Sequence, residues 1–173
     1  MPADLALTLP EHGQGTKRMS QTQTGDATHL SEQDIYLFNE GTHSRLYEKL
    51  GAHYLGEGRG VQFAVWAPNA SYVSVIGEFN EWDKSRHPMQ KLEESGIWQL
   101  TIPECRPGLA YKYYVASEKY DFAADKVDPF GFMHSAPPAR ESVIWDLSYD
   151  WHDSHWLEKR SELQKHDCPL SIY

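Results

Sequence analysis

Apolar and polar residues alternate with a period of two in four stretches of the middle of the chain. The clearest stretch covers residues 61–67, and the apolar residues on one face of its extended backbone are Val61, Phe63, Val65 and Ala67. The three further stretches of this kind are 72–77, 97–102 and 109–117. Turns rich in Gly, Pro and Asn separate them, and no long helical pattern lies between them. The pattern predicts a mainly β fold, an immunoglobulin-like antiparallel β-sandwich over residues 53–147.

Helical patterns flank the predicted sandwich on both sides. Ser31, followed by acidic residues and then by an apolar run, is typical of a helix N-cap, and Gly41 is a suitable helix end. Together with a second short turn, these residues predict a short helical preface over 31–52. On the other side, Asp153 can cap a helix, which predicts a linker helix over 148–166.

The two ends of the chain differ from the middle in composition. Residues 1–30 are rich in Gln, Thr, Gly and Ser, with few large apolar residues to offset the entropy that is lost on ordering. We interpret them as a flexible polar tail. Residues 167–173 begin a new β-like apolar run at which the sequence stops, so we expect a longer parent chain.

Length and charge narrow the classes of function. With 173 residues the chain can form one ordinary domain, whereas a (β/α)₈ catalytic barrel takes about 250 residues. The formal net charge of −9 disfavours nucleic acid as a partner, because nucleic-acid binding depends on clustered Lys and Arg. No apolar stretch approaches the roughly 20 residues that span a bilayer, and no export signal is recognisable. We therefore expect a cytoplasmic protein without a membrane partner, and reduced thiols at Cys105 and Cys168.

The turn after the second predicted strand is the most informative candidate site. Its sequence, Gly-Glu-Phe-Asn-Glu-Trp-Asp, places Trp82 at or near the loop tip, with Asn80 in the same turn. An indole ring can stack on the flat C–H face of a sugar, while amide and ammonium groups satisfy the sugar hydroxyls. Alternatively, Trp82 folds back to cover the end of the sandwich. The residues alone leave both alternatives open.

Alternation also orients the residues of the last long predicted strand. Lys112 is expected on the open face, because the opposite face carries Tyr111, Tyr113 and Val115. There Lys112 can donate to a sugar hydroxyl, or it can simply be solvated. Two other tryptophans, Trp66 and Trp98, lie within strands and are expected to be packing residues.

The sequence contains no recognisable catalytic or metal-binding constellation. The run from His152 to His155 lacks a third ligand at zinc-like spacing. Neither a phosphate-binding glycine loop, nor a nucleophile elbow, nor a Cys/His pair in a known frame is present. We therefore predict that this chain by itself is inactive and that it uses neither a metal nor another cofactor.

Four segments are informative when they are taken together: LFNEGTH at 37–43, YEKLGAH at 47–53, FAVWAPNA at 63–70 and GEFNEWD at 77–83. In this order they resemble the N-terminal region of bacterial glycogen (1,4-α-glucan) branching enzymes. The resemblance continues in order through 87–89, 94–98, 111–113 and 126–130. The last residues, 169–173, resemble the opening of the family's catalytic barrel.

The resemblance implies a fold, an activity and a set of site residues. The fold is a carbohydrate-binding, early-set immunoglobulin-like module, and the full enzyme would be a glycosyltransferase that makes α-1,6 branches from an α-1,4-glucan. Its catalytic residues would all lie in the missing barrel. Its implied partners are α-1,4-glucan or glycogen and its own barrel. In the family's carbohydrate site, Trp82 matches the stacking tryptophan and Lys112 matches the strand lysine. Asn80 lies in the same turn as Trp82, and Tyr120 falls roughly at the position of the second aromatic residue.

Other functions share parts of this pattern. A stand-alone or regulatory glycogen-binding module would need no catalytic partner, and debranching or trehalose-forming enzymes carry related modules. The segments 38–43 and 47–53 favour the branching enzymes, because these other classes of protein are not expected to contain them. In a third hypothesis the sandwich is mainly a scaffold that packs on the barrel, with Trp66 at the contact.

Overall fold

The fold consists of two antiparallel sheets that face each other. The computed structural model describes residues 29–92 and 95–163. The strands within them are β1 (Gly51–Tyr54), β2 (Val61–Trp66), β3 (Tyr72–Gly77), β4 (Gln90–Leu92), β5 (Ile97–Ile102), β6 (Ala110–Ser117), β7 (Phe122–Lys126), β8 (Met133–His134) and β9 (Ser142–Val143). The first sheet has the order β1-β2-β5-β4, and the second has the order β3-β6-β9-β8 with β7 also paired to β6. The predicted mainly β sandwich is confirmed.

The core lies between the two sheets and follows the predicted alternation. The inner face of β2 contributes Val61, Phe63 and Val65, all buried. The facing strands of the second sheet contribute buried residues at every second position, namely Val73, Val75, Tyr111 and Tyr113. Because burial of apolar area is the main favourable term in folding, this alternation fixes which side chains the outer faces carry.

The long strands match their predicted bounds closely, whereas the short ones were not predicted. The predicted ranges 72–77 and 97–102 coincide with β3 and β5. By contrast, β1 starts two residues before the predicted start of the sandwich, at Gly51, and its sequence Gly-Ala-His-Tyr has no alternation. Gly51 has φ 103°, and a Cβ there would lie 2.9 Å from the carbonyl oxygen of Phe130. A strand can thus start at this position only because the residue is glycine.

The helical preface packs on the outer face of the first sheet. Its helix, α1 (Glu32–Glu40), is capped by Ser31 and ends at Gly41 with φ 73°, as the sequence predicts. A 3₁₀ turn follows at Leu46–Glu48. The preface and the outer face of the first sheet form a second, smaller hydrophobic cluster. Its buried residues are Leu30, Leu50, Ala64 and Ile97. Leu30 thus belongs to the packed part, and the rest of the predicted tail, apart from residue 29, lies outside the described residues.

Asp34 connects the helix of the preface to the residues that follow it through hydrogen bonds and ion pairs. Its carboxylate accepts hydrogen bonds from the backbone N–H and hydroxyl of Ser31, at 2.8 and 2.7 Å. The ammonium of Lys49 and Nε2 of His43 each lie 3.0 Å from a carboxylate oxygen. Burial acts to raise the pKa of Asp34, but the hydrogen bonds from Ser31, Lys49 and His43 outweigh it. The pKa of this carboxyl therefore lies well below its ordinary value.

The depressed pKa of Asp34 predicts a specific dependence of stability on pH. We expect Asp34→Asn to lower the free energy of unfolding by about 1–2 kcal/mol at neutral pH, through loss of charge-assisted hydrogen bonds. The stabilisation by the carboxylate is present above the unfolded pKa of 3.8 and is lost as pH falls through the folded value. Urea unfolding of both proteins from pH 7 to pH 2.5 tests this, because the difference should shrink below pH 3.8. A difference that is constant with pH would rule out this role.

The segment after the sandwich contains one helix in the described part of the chain. This helix, α2 (Ser154–Leu163), begins directly after Asp153, where the sequence predicts it. The predicted continuation to residue 166, and the predicted start of a barrel at 167–173, lie outside the described residues. None of the helices in the described ranges is long and apolar enough to cross a membrane.

Candidate functional site

The turn after β3 is built on unusual backbone conformations. It begins with the 3₁₀ turn Glu78–Asn80, and both Glu81 and Trp82 then take positive φ angles, 58° and 62°. For non-glycine residues this left-handed region costs on the order of 1–3 kcal/mol each, and such strain clusters at functional sites. Gly77 permits the close packing beneath the turn, because a Cβ there would lie 2.5 Å from the carbonyl oxygen of Ala110.

Asn80 holds this strained turn in place. It is 1% exposed, and its Oδ1 accepts from the backbone N–H of Gly77 at 2.9 Å. Its Nδ2 donates to the carbonyl of Val75 and to Nδ1 of His87, both at 2.9 Å. Because the amide is fully used inside the turn, it offers no surface to a sugar. The structure therefore corrects the prediction that Asn80 is a sugar contact and makes it the residue that positions Trp82.

Trp82 is presented at the surface beside Lys112. The indole keeps 36% of its surface exposed, so it does not fold completely over the end of the sandwich. The ammonium of Lys112 lies 5.6 Å from the centroid of the ring, within the range of a cation–π contact. As predicted, Lys112 projects from the outer face of β6, while Tyr111 and Tyr113 point into the core. The structure thus brings these two predicted site residues together.

Glu141 is a third member of this site that the sequence did not reveal. Tyr111 pairs with Ser142 across β6 and β9, so Lys112 and Glu141, which adjoin this pair, lie on the outer face. The ammonium of Lys112 is 3.2 Å from Oε1 of Glu141, and each side chain is 22% exposed. β9 has only two residues and therefore shows no alternation that could have signalled this pairing. We call Trp82, Lys112 and Glu141 the tryptophan site.

The tryptophan site combines three kinds of recognition chemistry. The indole supplies a flat apolar surface, Lys112 supplies N–H donors, and the carboxylate of Glu141 supplies acceptors. A polyhydroxylated ring with an apolar face needs all three. The single carboxylate is already paired with an ammonium, whereas glycosyl transfer by paired carboxylates needs two that flank the bond. The arrangement is therefore suited to binding rather than to catalysis.

Tyr120 lies apart from the tryptophan site. It is 56% exposed in the turn between β6 and β7, and the ammonium of Lys119 lies 5.2 Å from its ring centroid. Lys112 is near the start of β6, so the five residues from there to Ser117 alone span roughly 16 Å. The structure therefore does not place Tyr120 beside Trp82, and its predicted role as a second sugar contact stays a prediction.

The two other tryptophans differ from each other. Trp98 is 7% exposed and donates its Nε1–H to the carbonyl of Ala67 at 3.0 Å, so its predicted packing role is confirmed. Trp66 is 54% exposed at the end of β2, on the outer face of the first sheet, so it is only partly packed within the chain. The preface covers this face only partly there, and the ring of Phe38 meets Trp66 edge-on at 6.0 Å. Between them lies an open groove of about 550 Å³.

Comparisons with known proteins agree with a carbohydrate-associated module. Residues 49–131, which include Trp82 and Lys112, match the family model described as carbohydrate-binding module 48, the isoamylase N-terminal domain. The chain is 50% identical over 147 residues to the 1,4-alpha-glucan branching enzyme GlgB of Aquifex aeolicus, covering 83% of this chain and 23% of that protein. It is 51% identical over 148 residues to GlgB of Synechococcus sp. (strain JA-3-3Ab), covering 84% of this chain and 19% of that protein.

Among solved structures, the pullulanase from Bacillus acidopullulyticus is similar over 57% of this chain and 12% of its own length. The TM-score is 0.47 and the sequence identity is 27%. Compared with the two branching enzymes, the chain spans about a fifth of the length of the curated relatives that it matches.

Proposed function

We propose, since residues 49–131 match the family model of carbohydrate-binding module 48, that the tryptophan site binds an α-1,4-glucan. One observation carries the proposal: the ammonium of Lys112 lies 5.6 Å from the Trp82 ring and 3.2 Å from the Glu141 carboxylate. A ring surface, a donor and an acceptor thus meet on one outer face.

A glucose unit can satisfy each group of the tryptophan site. The C–H face of the sugar stacks on the exposed face of Trp82, where dispersion and the hydrophobic effect favour it. The free hydroxyls at the edge of the ring accept from Lys112 and donate to Glu141. Because the ligand is neutral, the ion pair stays together and gains hydrogen bonds without leaving a charge unpaired.

For the whole protein we propose a 1,4-α-glucan branching enzyme in which this module holds glucan near the catalytic domain. The support is the identity of about half the aligned residues to the two branching enzymes, which extends beyond residues 49–131. The catalytic carboxylates would come from the domain that follows. Sequencing the gene past Tyr173 tests this part: a domain with carboxylates at its strand ends is expected, and a stop codon there would leave only the regulatory module.

Calorimetric titration of the chain with maltoheptaose tests glucan binding directly. We expect saturable one-site binding, because the linked glucose units present both a C–H face and free hydroxyls. Cellohexaose, whose β-1,4 linkages give a flat ribbon of the same sugar, is the matched control ligand and should bind more weakly. Absence of heat and of any tryptophan fluorescence change with maltoheptaose would refute the proposal.

Lys112 and Glu141 should both contribute to glucan affinity. We expect Lys112→Met to weaken maltoheptaose binding by about 1 kcal/mol and Glu141→Gln by somewhat less, since each removes charge-assisted hydrogen bonds to neutral hydroxyls. The double variant should lose less than the sum, because the two side chains contact each other. Lys91→Met, on the first sheet, is the control and should leave the affinity unchanged. Equal effects of Lys91 and Lys112 would argue against a localised site.

A further inference from the structure

A second group of one aromatic ring, one lysine and one carboxylate lies next to the tryptophan site. The ammonium of Lys84 lies 4.4 Å from the centroid of the Tyr114 ring and 3.1 Å from Oδ1 of Asp125. The second sheet thus carries, twice, an aromatic ring with a lysine over it and a carboxylate on that lysine. We call Tyr114, Lys84 and Asp125 the tyrosine site.

The strand geometry makes the two sites neighbours on one face. Tyr114 follows Lys112 by two residues on β6, so both side chains leave the same outer face, with Cα atoms roughly 6.6 Å apart. Tyr114 pairs with Asp125 on β7, which puts the carboxylate beside the ring on that face. The separation is comparable to the size of one sugar ring, so a single glucan chain can reach both sites.

The loop that carries Trp82 also carries Lys84, and it is fixed to β3. The carbonyl oxygen of Lys84 accepts from the hydroxyls of Tyr72 at 2.8 Å and Ser74 at 2.7 Å. The ring of Tyr72 also meets Tyr114 edge-on, with centroids 6.2 Å apart. The part of the loop that carries Lys84 is therefore anchored to β3.

The ion pair over Tyr114 is exposed and easily displaced. The side chain of Lys84 is 50% exposed and that of Asp125 is 42% exposed. Exposed ion pairs contribute little to stability, so exchanging the ammonium for a sugar face on the ring costs little. After this exchange, Lys84 and Asp125 remain close enough to hydrogen-bond with the sugar hydroxyls.

We propose that the tyrosine site is a second glucose-binding subsite, continuous with the tryptophan site along the outer face of β6. The inference rests on the proposed glucan-binding function and adds a direction to it, because the bound chain runs from Trp82 towards the end of β6. Long α-glucans occupy both subsites, whereas the shortest ones fill only the tryptophan site.

Affinity as a function of chain length tests the second subsite. Methyl α-glucoside, which has a single sugar ring, and maltoheptaose are titrated into the wild type, Tyr114→Ala and Tyr114→Phe. Tyr114→Ala should weaken maltoheptaose binding about fivefold and leave that of methyl α-glucoside within twofold, while Tyr114→Phe, which keeps the ring, should bind both like the wild type. If Tyr114→Ala weakens both ligands equally, or neither, the second subsite is refuted and the tryptophan site stands. If the wild type binds neither ligand, the proposed function fails and the subsite with it.

Asp125→Ala supplies a variant that leaves the packing untouched. Tyr114 is half-buried, so its truncation could affect folding, whereas the exposed Asp125 contacts only Lys84 among the ion pairs of the described chain. We expect Asp125→Ala to weaken maltoheptaose binding about twofold, to leave methyl α-glucoside binding unchanged and to keep the wild-type unfolding temperature. Unchanged maltoheptaose affinity in Asp125→Ala would remove the carboxylate from the subsite.

Discussion

Replacing Trp82 with alanine is expected to weaken maltoheptaose binding by about 1–3 kcal/mol, the largest single loss in the site. The ring is 36% exposed and is the part of the tryptophan site that covers a sugar face. Its removal takes away the stacking surface and also the cation–π partner of Lys112. Calorimetric titrations of the wild type and Trp82→Ala at the same pH and salt measure the difference.

Trp66 provides the matched control for this experiment. It is also an exposed tryptophan, at 54%, but it lies on the outer face of the opposite sheet. Trp66→Ala should bind maltoheptaose like the wild type, and Trp82→Phe should recover part of the lost affinity because a smaller ring remains. Unchanged affinity in Trp82→Ala would exclude this residue from the site. A loss confined to Trp66→Ala would move the glucan to the other sheet.

Replacing Asp128 with alanine is expected to lower the free energy of unfolding by about 3–5 kcal/mol, the largest effect on stability. Asp128 is 2% exposed, and its Oδ2 accepts from the hydroxyls of Tyr111 at 2.6 Å and Tyr113 at 3.1 Å. Its Oδ1 accepts from the backbone N–H of Phe130 at 2.8 Å. Without the carboxylate, the phenol hydroxyls of Tyr111 and Tyr113 lose the buried acceptor that they share. Urea unfolding followed by far-ultraviolet circular dichroism measures the change.

Two control variants test whether the loss of stability comes from the hydrogen bonds of Asp128 or from the removal of any carboxylate. Burial raises the pKa of Asp128, although hydrogen bonds from Tyr111, Phe130 and Tyr113 oppose the shift. A neutral side chain is therefore tolerated there, and Asp128→Asn, which keeps an acceptor oxygen, should cost clearly less than alanine. Asp150→Ala removes an exposed carboxylate and should change stability by less than about 0.5 kcal/mol. Equal losses in all three variants would contradict the proposed network.

The sequence predicted the fold where one physical rule dominates. In β2, β3 and β5 one face is buried against the other sheet, so alternation alone defines their position. The two-residue strands β8 and β9 are too short for any periodic signal. They exist because β9 pairs with β6, a segment distant in sequence, and β8 pairs with β9.

The candidate site was predictable in part for the same reason. Trp82 and Lys112 could be found because a turn and an alternating strand define where each side chain points. Glu141 could not, since its place beside Lys112 depends on the register of β6 with β9. Asn80 was misassigned because an amide in a turn has the same composition whether it faces a ligand or satisfies the backbone. Only the hydrogen bonds of the folded chain distinguish the two.

The left-handed pair Glu81 and Trp82, clamped by Asn80, has a consequence for how binding is driven. The conformational freedom of the loop is given up when the protein folds, so none of that entropy is lost again on association. The ring of Trp82 is therefore already in place for the proposed stacking on a sugar, and the loop does not need to rearrange. Folding thus carries the cost of the strained turn, and the proposed binding step does not.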